Sequence, residues 1–585
     1  QYFWNPVLTQ IDGNGEPISQ LISQSKPKDI ITHYQYDQLG RQAKEYLPYG
    51  SDQTQNGAIY TNPLTELNSF YNIAKYQNTT NPYSETIFEE SPLNRPLKQA
   101  APGLDWIAKA TGEDHTIKLD RRANKSSDAI VYFKVNFTNN NTEAPSLVKV
   151  SNYPENELFI NITKDENWKS SDGNNHITQE FTDKSGKVVL KRTFNNNVAH
   201  DTYYVYDIFG NLTYVIPPKV TVSNGVSTTE LNELGYQYKY DRRNRLVEKK
   251  IPGKGWEYIV YNKLDQPVMT QDANQRVKSP KEWLFTKYDA LGRVAYTGII
   301  KNDQNRLTIQ SSANNNTSYT QYETKQSSSR TIAGTPIYYT NNTIPGFIDK
   351  ILTINYYDNY TFDRDGMNKP TTVNGIATNN NVKSLPTGSK VRVLGTNSWI
   401  TTVTAYDTKG QIIWTGSRND YLDTTDKVEM QLDFTGKPKV VKTTHTKGSN
   451  AAIVTTETFT YDHMGRLLTQ KQKINNQAEE LIVHNTYDDL GQLASKKVGN
   501  AEQAPLQTVD YKYNVRGWLT DINDVDNIGD DLFTFKINYD TVEGYYNVPE
   551  LYNGNISQTI WKTANDNVKR SYSYQYDDLN RITRA

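Results

Sequence analysis

Carboxylates are the residues of this chain whose type and spacing come closest to a recognisable chemistry. Asp recurs directly after an aromatic residue in Tyr36-Asp37, Tyr206-Asp207, Tyr240-Asp241, Tyr288-Asp289, Tyr406-Asp407, Tyr461-Asp462, Tyr487-Asp488 and Tyr576-Asp577. Paired carboxylates hydrolyse glycosidic bonds, one protonating the leaving group while the other attacks or activates water. Most of these Asp residues, however, recur with a Gly three positions on: Gly40, Gly210, Gly292, Gly410, Gly465 and Gly491. An Asp that starts a turn and a Gly that completes it have a full structural role. No catalytic residue is assigned, and the chain is expected not to be an enzyme.

The other reactive groups give weaker patterns. The histidines His33, His115, His176, His200, His445, His463 and His484 form no pair at i, i+2 or i, i+4, so a local metal-binding spacing is missing. Residues 521–531 are the densest acidic run, with alternating oxygen donors of the kind Ca²⁺ takes. The twelfth position counted from Asp521 is Leu532, not the Glu of an EF-hand, and a solvated acidic loop is the preferred reading. Gly253-Lys254-Gly255-Trp256 lacks phosphate-loop spacing, and no Gly-x-Ser-x-Gly elbow occurs. With no Cys, thiolate chemistry and disulfides are excluded. No cofactor or metal is expected.

The elements that carry these Asp residues are read from the repeat itself. The unit is an aromatic, Asp, two variable residues, Gly, a basic or polar residue and an aliphatic, as in Tyr288-Asp289-Ala290-Leu291-Gly292-Arg293-Val294. Asn244 and Asn580 stand at the Gly position, and Asn514 replaces Asp. Asp183…Gly186 and Asp433…Gly436 keep only the turn. From Asp407 the spacings to Asp433, Asp462, Asp488 and Asn514 are 26, 29, 26 and 26 residues. Such a period predicts one supersecondary unit stacked on its neighbours. Asp accepts from backbone N–H groups just ahead of it, and Gly, or Asn in its place, tolerates the left-handed conformation. Tyr alternates in Tyr236-Gln237-Tyr238-Lys239-Tyr240 and in Tyr572-Ser573-Tyr574-Gln575-Tyr576, which places it on one sheet face. Each unit is therefore a β-hairpin, with the Tyr ladder assigned to cross-strand packing.

Bulk composition agrees. The 585 residues exceed what one compact core uses. The 42 Tyr, 16 Phe and 9 Trp argue against disorder, which is poor in aromatics. A formal charge of -1 gives no electrostatic reason to expect nucleic acid as a partner. No apolar run reaches 18 residues, so no transmembrane helix is expected. The chain opens at Gln1 without a signal peptide and stops at Ala585 inside a repeat, and is read as part of a longer polypeptide.

Taken together, the array resembles the Rhs/YD-repeat family. The N-terminal third resembles the β-rich domain that precedes YD repeats in surface proteins of type 9-secreting bacteria, in the stretches Tyr36-Asp37, Glu45-Tyr46-Leu47-Pro48-Tyr49, Asn81-Pro82-Tyr83-Ser84-Glu85, Glu90-Ser91-Pro92-Leu93-Asn94-Arg95 and Gln99-Ala100-Ala101-Pro102-Gly103. Further on, Trp283-Leu284-Phe285-Thr286-Lys287-Tyr288-Asp289, Tyr357-Asp358-Asn359-Tyr360, Arg516-Gly517-Trp518-Leu519-Thr520 and Tyr552-Asn553-Gly554-Asn555-Ile556 resemble family landmarks. The resemblance, of the polymorphic-toxin type, implies an all-β fold: hairpins forming a long spiralling antiparallel sheet, a hollow and possibly incomplete shell. It implies a structural carrier that encloses or presents a linked C-terminal toxin or effector. It also implies a secreted or cell-surface location, with outer-membrane secretion or display machinery as a partner. No Asp-Pro-x-Gly element occurs, so self-cleavage is assigned to no residue, and any such activity or toxin is expected beyond residue 585.

The organisation expected along the chain is a β-rich N-terminal domain over residues 1–175, holding the first motif, and a repeat shell over 176–585. Where the period lapses, at about 295–400, irregular insertions and long loops are expected. Helices are expected only near 65–71 and 104–110. The alternative function is a surface adhesin or carbohydrate-binding module using rows of Tyr and Trp.

Overall fold

The computed structural model describes residues 28–51, 62–544 and 548–585; the opening of the chain, from Gln1, lies outside the described residues. Among the described residues the protein is nearly all-β, with 47% strand and 8% helix, and 31 of the described strands make up its large antiparallel sheet. Contacts divide the chain into two compact units, residues 1–129, 153–201 and 483–585 in one and residues 130–152 and 202–482 in the other.

In the first unit, strands Tyr34–Gln35, Lys44–Tyr46, Tyr83–Phe88, Pro96–Ala100, Ile117–Ala123, Leu158–Lys164, Ile177–Asp183 and Val188–Asn195 each pair antiparallel with the next. A later run in the same unit goes from Leu493–Val498 through Gln507–Tyr513, Leu519–Ile522, Phe533–Asn538 and Gln558–Thr563 to Arg570–Ser573. Helix Pro63–Tyr71 joins the two parts. Pro63 sits in its first turn, where a missing N–H costs nothing. Leu67 and Tyr71, four residues apart and so on one face, are buried with Ile31, Tyr49, Tyr76 and Val515. Lys75 and Lys28 then pair with Asp488 at 2.8 Å and Asp489 at 2.9 Å. The helix expected at 104–110 is only a 3-10 turn, Leu104–Trp106. Leu104 and Ile107 are exposed, so no apolar face exists to hold a longer helix, while Trp106 is fully buried and donates from Nε1 to Tyr552 O at 2.9 Å.

In the second unit the strands of the sheet again pair in chain order from Leu212–Ile216 to Leu467–Ile474, with two separate two-stranded hairpins, Lys325–Ile332 with Thr335–Tyr339 and Thr372–Val373 with Ile376–Ala377, passed over. Residues 295–400 differ from the expectation of loops. They contain helix Arg306–Asn315, hairpin Lys325–Ile332 with Thr335–Tyr339, and strands Lys350–Asp358 and Val382–Arg392. Their apolar residues build the unit's main core, with Ile309, Ile337, Tyr339, Ile351, Ile354 and Tyr356 packed with Trp283, Phe285 and Tyr296. A sequence poor in regular alternation still folds here because the added hairpin covers one face of the sheet and buries it.

The cover does not extend along the whole sheet of this unit. Strands Glu282–Tyr288 and Val294–Lys301 alternate buried and half-buried residues, so one face is covered. In Pro438–Lys447, Ile453–Tyr461 and Leu467–Ile474 no residue is buried at all. Both faces there are open, and the sheet is a single layer whose stability comes from its ladder and its cross-strand pairs.

Candidate functional site

The recurring site is the hairpin turn. At Asp289 the backbone N–H donates to Arg293 O at 2.9 Å, and Gly292 N–H donates back to Asp289 O at 3.0 Å. The carboxylate fills the interior: Oδ1 accepts from Leu291 N and Arg293 N, both at 2.9 Å, and Oδ2 accepts from Arg293 Nε at 2.7 Å. The same two backbone bonds close the turns at Asp37, Asp183, Asp207, Asp241, Asp407, Asp433, Asp462, Asp488, Asn514 and Asp577. In each, the side-chain Oδ1 also accepts from the N–H four residues on. The fourth residue of the turn lies in the left-handed region, at φ 87° for Gly210 and 58° and 60° for Asn244 and Asn580. This is a type I turn closed by a left-handed residue, the three-residue hairpin connection that carries a bulge.

One copy escaped the sequence reading. Tyr261-Asn262-Lys263-Leu264-Asp265-Gln266 makes the same turn, with Asp265 at φ 61° in place of Gly. Asn262 Oδ1 accepts from Leu264 N at 2.9 Å and Gln266 N at 3.0 Å. Its Nδ2 donates to Gln266 Oε1 at 2.8 Å, where Asp37, Asp241, Asp289, Asp462 and Asp577 bind arginine. Asn at the start and an amide four residues on were the available signal.

The motif tyrosines do more than pack. The register shifts just before each of them, between Lys239 and Tyr240, Val260 and Tyr261, Lys287 and Tyr288, and Thr460 and Tyr461. Beyond the turn, the ladder to the next hairpin stops two residues short of the aliphatic position. Glu248 pairs with Tyr258 while Leu246 pairs with nothing on that side, and Met269 pairs with Phe285 while Pro267 does not. The carbonyl left over accepts the hydroxyl of the following motif. Tyr240 Oη donates to Leu212 O at 3.0 Å, Tyr261 to Leu246 O at 2.8 Å, Tyr288 to Pro267 O at 2.9 Å, and Tyr461 to Pro438 O at 3.0 Å. Tyr357 does so to Val294 O, Tyr539 to Leu519 O and Tyr576 to Ile556 O, each at 3.0 Å. Each of these repeats is thus stitched to the strand before it, and a carbonyl that would otherwise lack a partner is satisfied. Burial pushes the Tyr240 hydroxyl up to about 12, so it remains a donor at any physiological pH.

A family model described as a domain of unknown function (DUF6443) matches residues 5–119. No curated protein matches. The crystal structure of TcdB2-TccC3 superposes over 94% of this chain with a TM-score of 0.54 at 14% identity. The two share a fold. The chain spans 21% of that chain's length. A second crystal structure, TcdB2-TccC3-TEV, covers 95% of this chain at a TM-score of 0.34 and 11% identity, with 24% of its own chain matched.

The remaining candidates disperse. Among the described residues no three His, Asp or Glu side chains converge to hold a metal ion. In the acidic loop, Asp524 accepts from the N–H of Asp526, and Asp526 pairs with Lys569 at 2.9 Å. Of the histidines, His445 faces Asp426 at 2.6 Å, His484 faces Glu502 at 3.2 Å, and His176 lies 3.4 Å from Asp165. The first unit also holds an open cleft of about 420 Å³ whose walls include Glu113, His115, Trp168, Lys169, Glu550 and Tyr552. The His115 ring stacks on Tyr552 with centroids 3.3 Å apart, and burial lowers its pKa. Arg516 lies 4.2 Å from the Trp518 ring and 4.9 Å from that of Trp106.

Proposed function

We propose that this chain is wall material: a carrier segment of the Rhs/YD-repeat kind that encloses or presents a linked C-terminal toxin or effector domain. The supporting observation is the bare sheet at Pro438–Lys447, Ile453–Tyr461 and Leu467–Ile474, where no residue is buried on either face. A compact domain has no use for such a layer, because burial of one face is what normally stabilises a sheet. A wall between an interior and the outside requires it. The fold shared with TcdB2-TccC3 supports the same reading.

In this proposal the turn aspartates carry no catalysis, since each is consumed by hydrogen bonds within its own turn. The function is confinement, and the chain is not an enzyme. Its N-terminal part is read as belonging to the subgroup found in type 9-secreting bacteria, placing the protein outside the cell or on its surface. Small-angle scattering tests the wall. A compact chain of 585 residues has a radius of gyration of about 25 Å, and the proposal requires a clearly larger value with a scattering profile that fits a shell. Protease digestion of the longer polypeptide tests the cargo: a tail cut as fast when joined to the wall as when free would refute confinement.

A further inference from the structure

Within the second unit a lysine, a glutamate and an asparagine meet in the core. Lys287, on strand Glu282–Tyr288, and Glu323 both have side chains with no solvent exposure. Lys287 Nζ donates to Glu323 Oε1 at 3.0 Å, to Thr343 O at 2.9 Å and to Asn341 Oδ1 at 2.5 Å. Glu323 is held rigidly, accepting from Thr340 Oγ1 at 2.6 Å, Thr343 N at 2.9 Å and Thr343 Oγ1 at 2.7 Å, and with Oε2 from Asn342 N at 2.9 Å. Asn341 is fixed from two sides. Its Nδ2 donates to Gly346 O at 2.9 Å, and its Oδ1 also accepts from Tyr296 Oη at 3.3 Å. The Tyr296 ring lies 5.5 Å from the ammonium, and Val268, Ala313 and Ile344 line the adjoining void.

We propose that Lys287 and Asn341 become joined by an isopeptide bond that the protein forms itself, with Glu323 as the proton relay. The Nζ atom is within hydrogen-bond reach of the amide oxygen and therefore beside the carbon it attacks, the proximity such a step needs. A desolvated lysine is a known form of activated nucleophile. Burial holds the Lys287 amine down to about 8, against the opposing pull of the Glu323 charge. Glu323 takes one proton from the ammonium, leaving a neutral amine. That amine attacks Cγ of Asn341, the Nζ–Cγ bond forms, and its second proton passes through Glu323 to Nδ2. The Cγ–Nδ2 bond breaks and ammonia leaves. Of the two protons Lys287 gives up, one departs with ammonia and one stays on Glu323, and no oxidant is needed. The void beside Lys287, about 10 Å³, is at the size one water-like molecule occupies, which suits the leaving group. The reaction replaces a buried ion pair, costly to desolvate, with a neutral amide. It also closes a covalent loop across 54 positions, clamping the added hairpin to the sheet.

Mass spectrometry of the purified, folded chain decides it. The expected tryptic digest contains a branched species, residues 282–293 joined to residues 331–350, lighter than the two peptides by one ammonia. Trypsin then fails to cut after Lys287. The branched peptide and not the intact mass is the readout. In Glu323→Gln the branched species is expected to fall roughly tenfold or more, with circular dichroism confirming that the variant is folded. Full recovery of the peptide ending at Lys287 together with unmodified 331–350 from the parent protein would overturn the bond. An undiminished branched species in Glu323→Gln would overturn the relay.

Discussion

Replacing Asp241 by Ala should loosen one hairpin by an amount that its hydrogen bonds allow to be worked out. Asp241 is 8% exposed. Its Oδ1 accepts from Arg243 N at 2.9 Å and Arg245 N at 3.0 Å, and its Oδ2 from Arg245 Nε at 2.8 Å. Two backbone donors lose their partners, at about 1 kcal/mol each, and a charge-assisted bond worth about 1.5–3 kcal/mol goes with them. Asp265 still holds Arg245 at 2.8 Å and returns part of that last contribution. The expected loss is about 3 kcal/mol. Asp241→Asn keeps Oδ1 and gives up the charge, as Asn262 does naturally, and should lose only about 1 kcal/mol. Because a repeat array opens locally, the assay is amide exchange across the hairpin and not a global melt. Ala should speed exchange of the Arg243 and Arg245 amides about 100-fold and Asn less than tenfold. Equal effects from Ala and Asn would show that the carboxylate does not hold this turn, and no change in either would refute the turn assignment itself.

Three further outcomes follow from the same physics. Tyr261→Phe keeps the ring over Arg245, 4.7 Å away, and removes only the stitch to Leu246 O, so exchange near 246 should rise by about 1 kcal/mol of local opening while exchange three repeats away stays constant. Arg306, 3% exposed, pairs with Glu248 at 3.0 Å and with Glu143, so Arg306→Ala should cost about 3–5 kcal/mol, read as a lower thermal midpoint, because two carboxylates lose their buried cation. Burial, with the charges of Asp105 and Glu550 adding to it, raises the Asp540 carboxyl from 3.8 to about 6. The folded state therefore holds this proton more tightly than the unfolded one. Its contribution is full below about pH 3.8 and is lost as pH rises through 6, to a total of about 3 kcal/mol. Asp540→Asn should stabilise the protein at pH 7.5 and leave it unchanged at pH 3.5, and a midpoint shift equal at both pH values would refute the assignment.

What could be read in advance was local. Asp207 and Gly210 mark a turn because a carboxylate and a residue without Cβ act over three or four positions, and the alternating Tyr residues 236–240 mark a strand for the same reason. Asn262 to Gln266 was missed because Asp265 stands at a positive φ where the other turns have Gly or Asn, and this outweighed the cue of Asn262 with an amide four residues on. Helix Arg306–Asn315 was missed because its buried face is carried by Arg306, Ile309, Gln310 and Ala313, two of them polar and made tolerable only by distant partners. Lys287 and Glu323 are 36 residues apart, and nothing near either predicts their meeting. The stitches were out of reach for a related reason. Tyr261 needs Leu246 O only because the ladder ends two residues early, and that depends on how two hairpins are offset.

The stitches have a consequence for how such a sheet varies in length. Each stitching tyrosine reaches back to a carbonyl of the strand before its own hairpin, as Tyr261 does to Leu246 O, so the coupling they supply runs from neighbour to neighbour. Removing one whole unit brings the next tyrosine to an equivalent carbonyl, and adding one supplies both a donor and an acceptor. A fraction of a unit does neither, and leaves a carbonyl bare. The sheet can therefore grow or shrink by whole hairpins, as a chain is lengthened by links, while the chemistry of each joint stays the same.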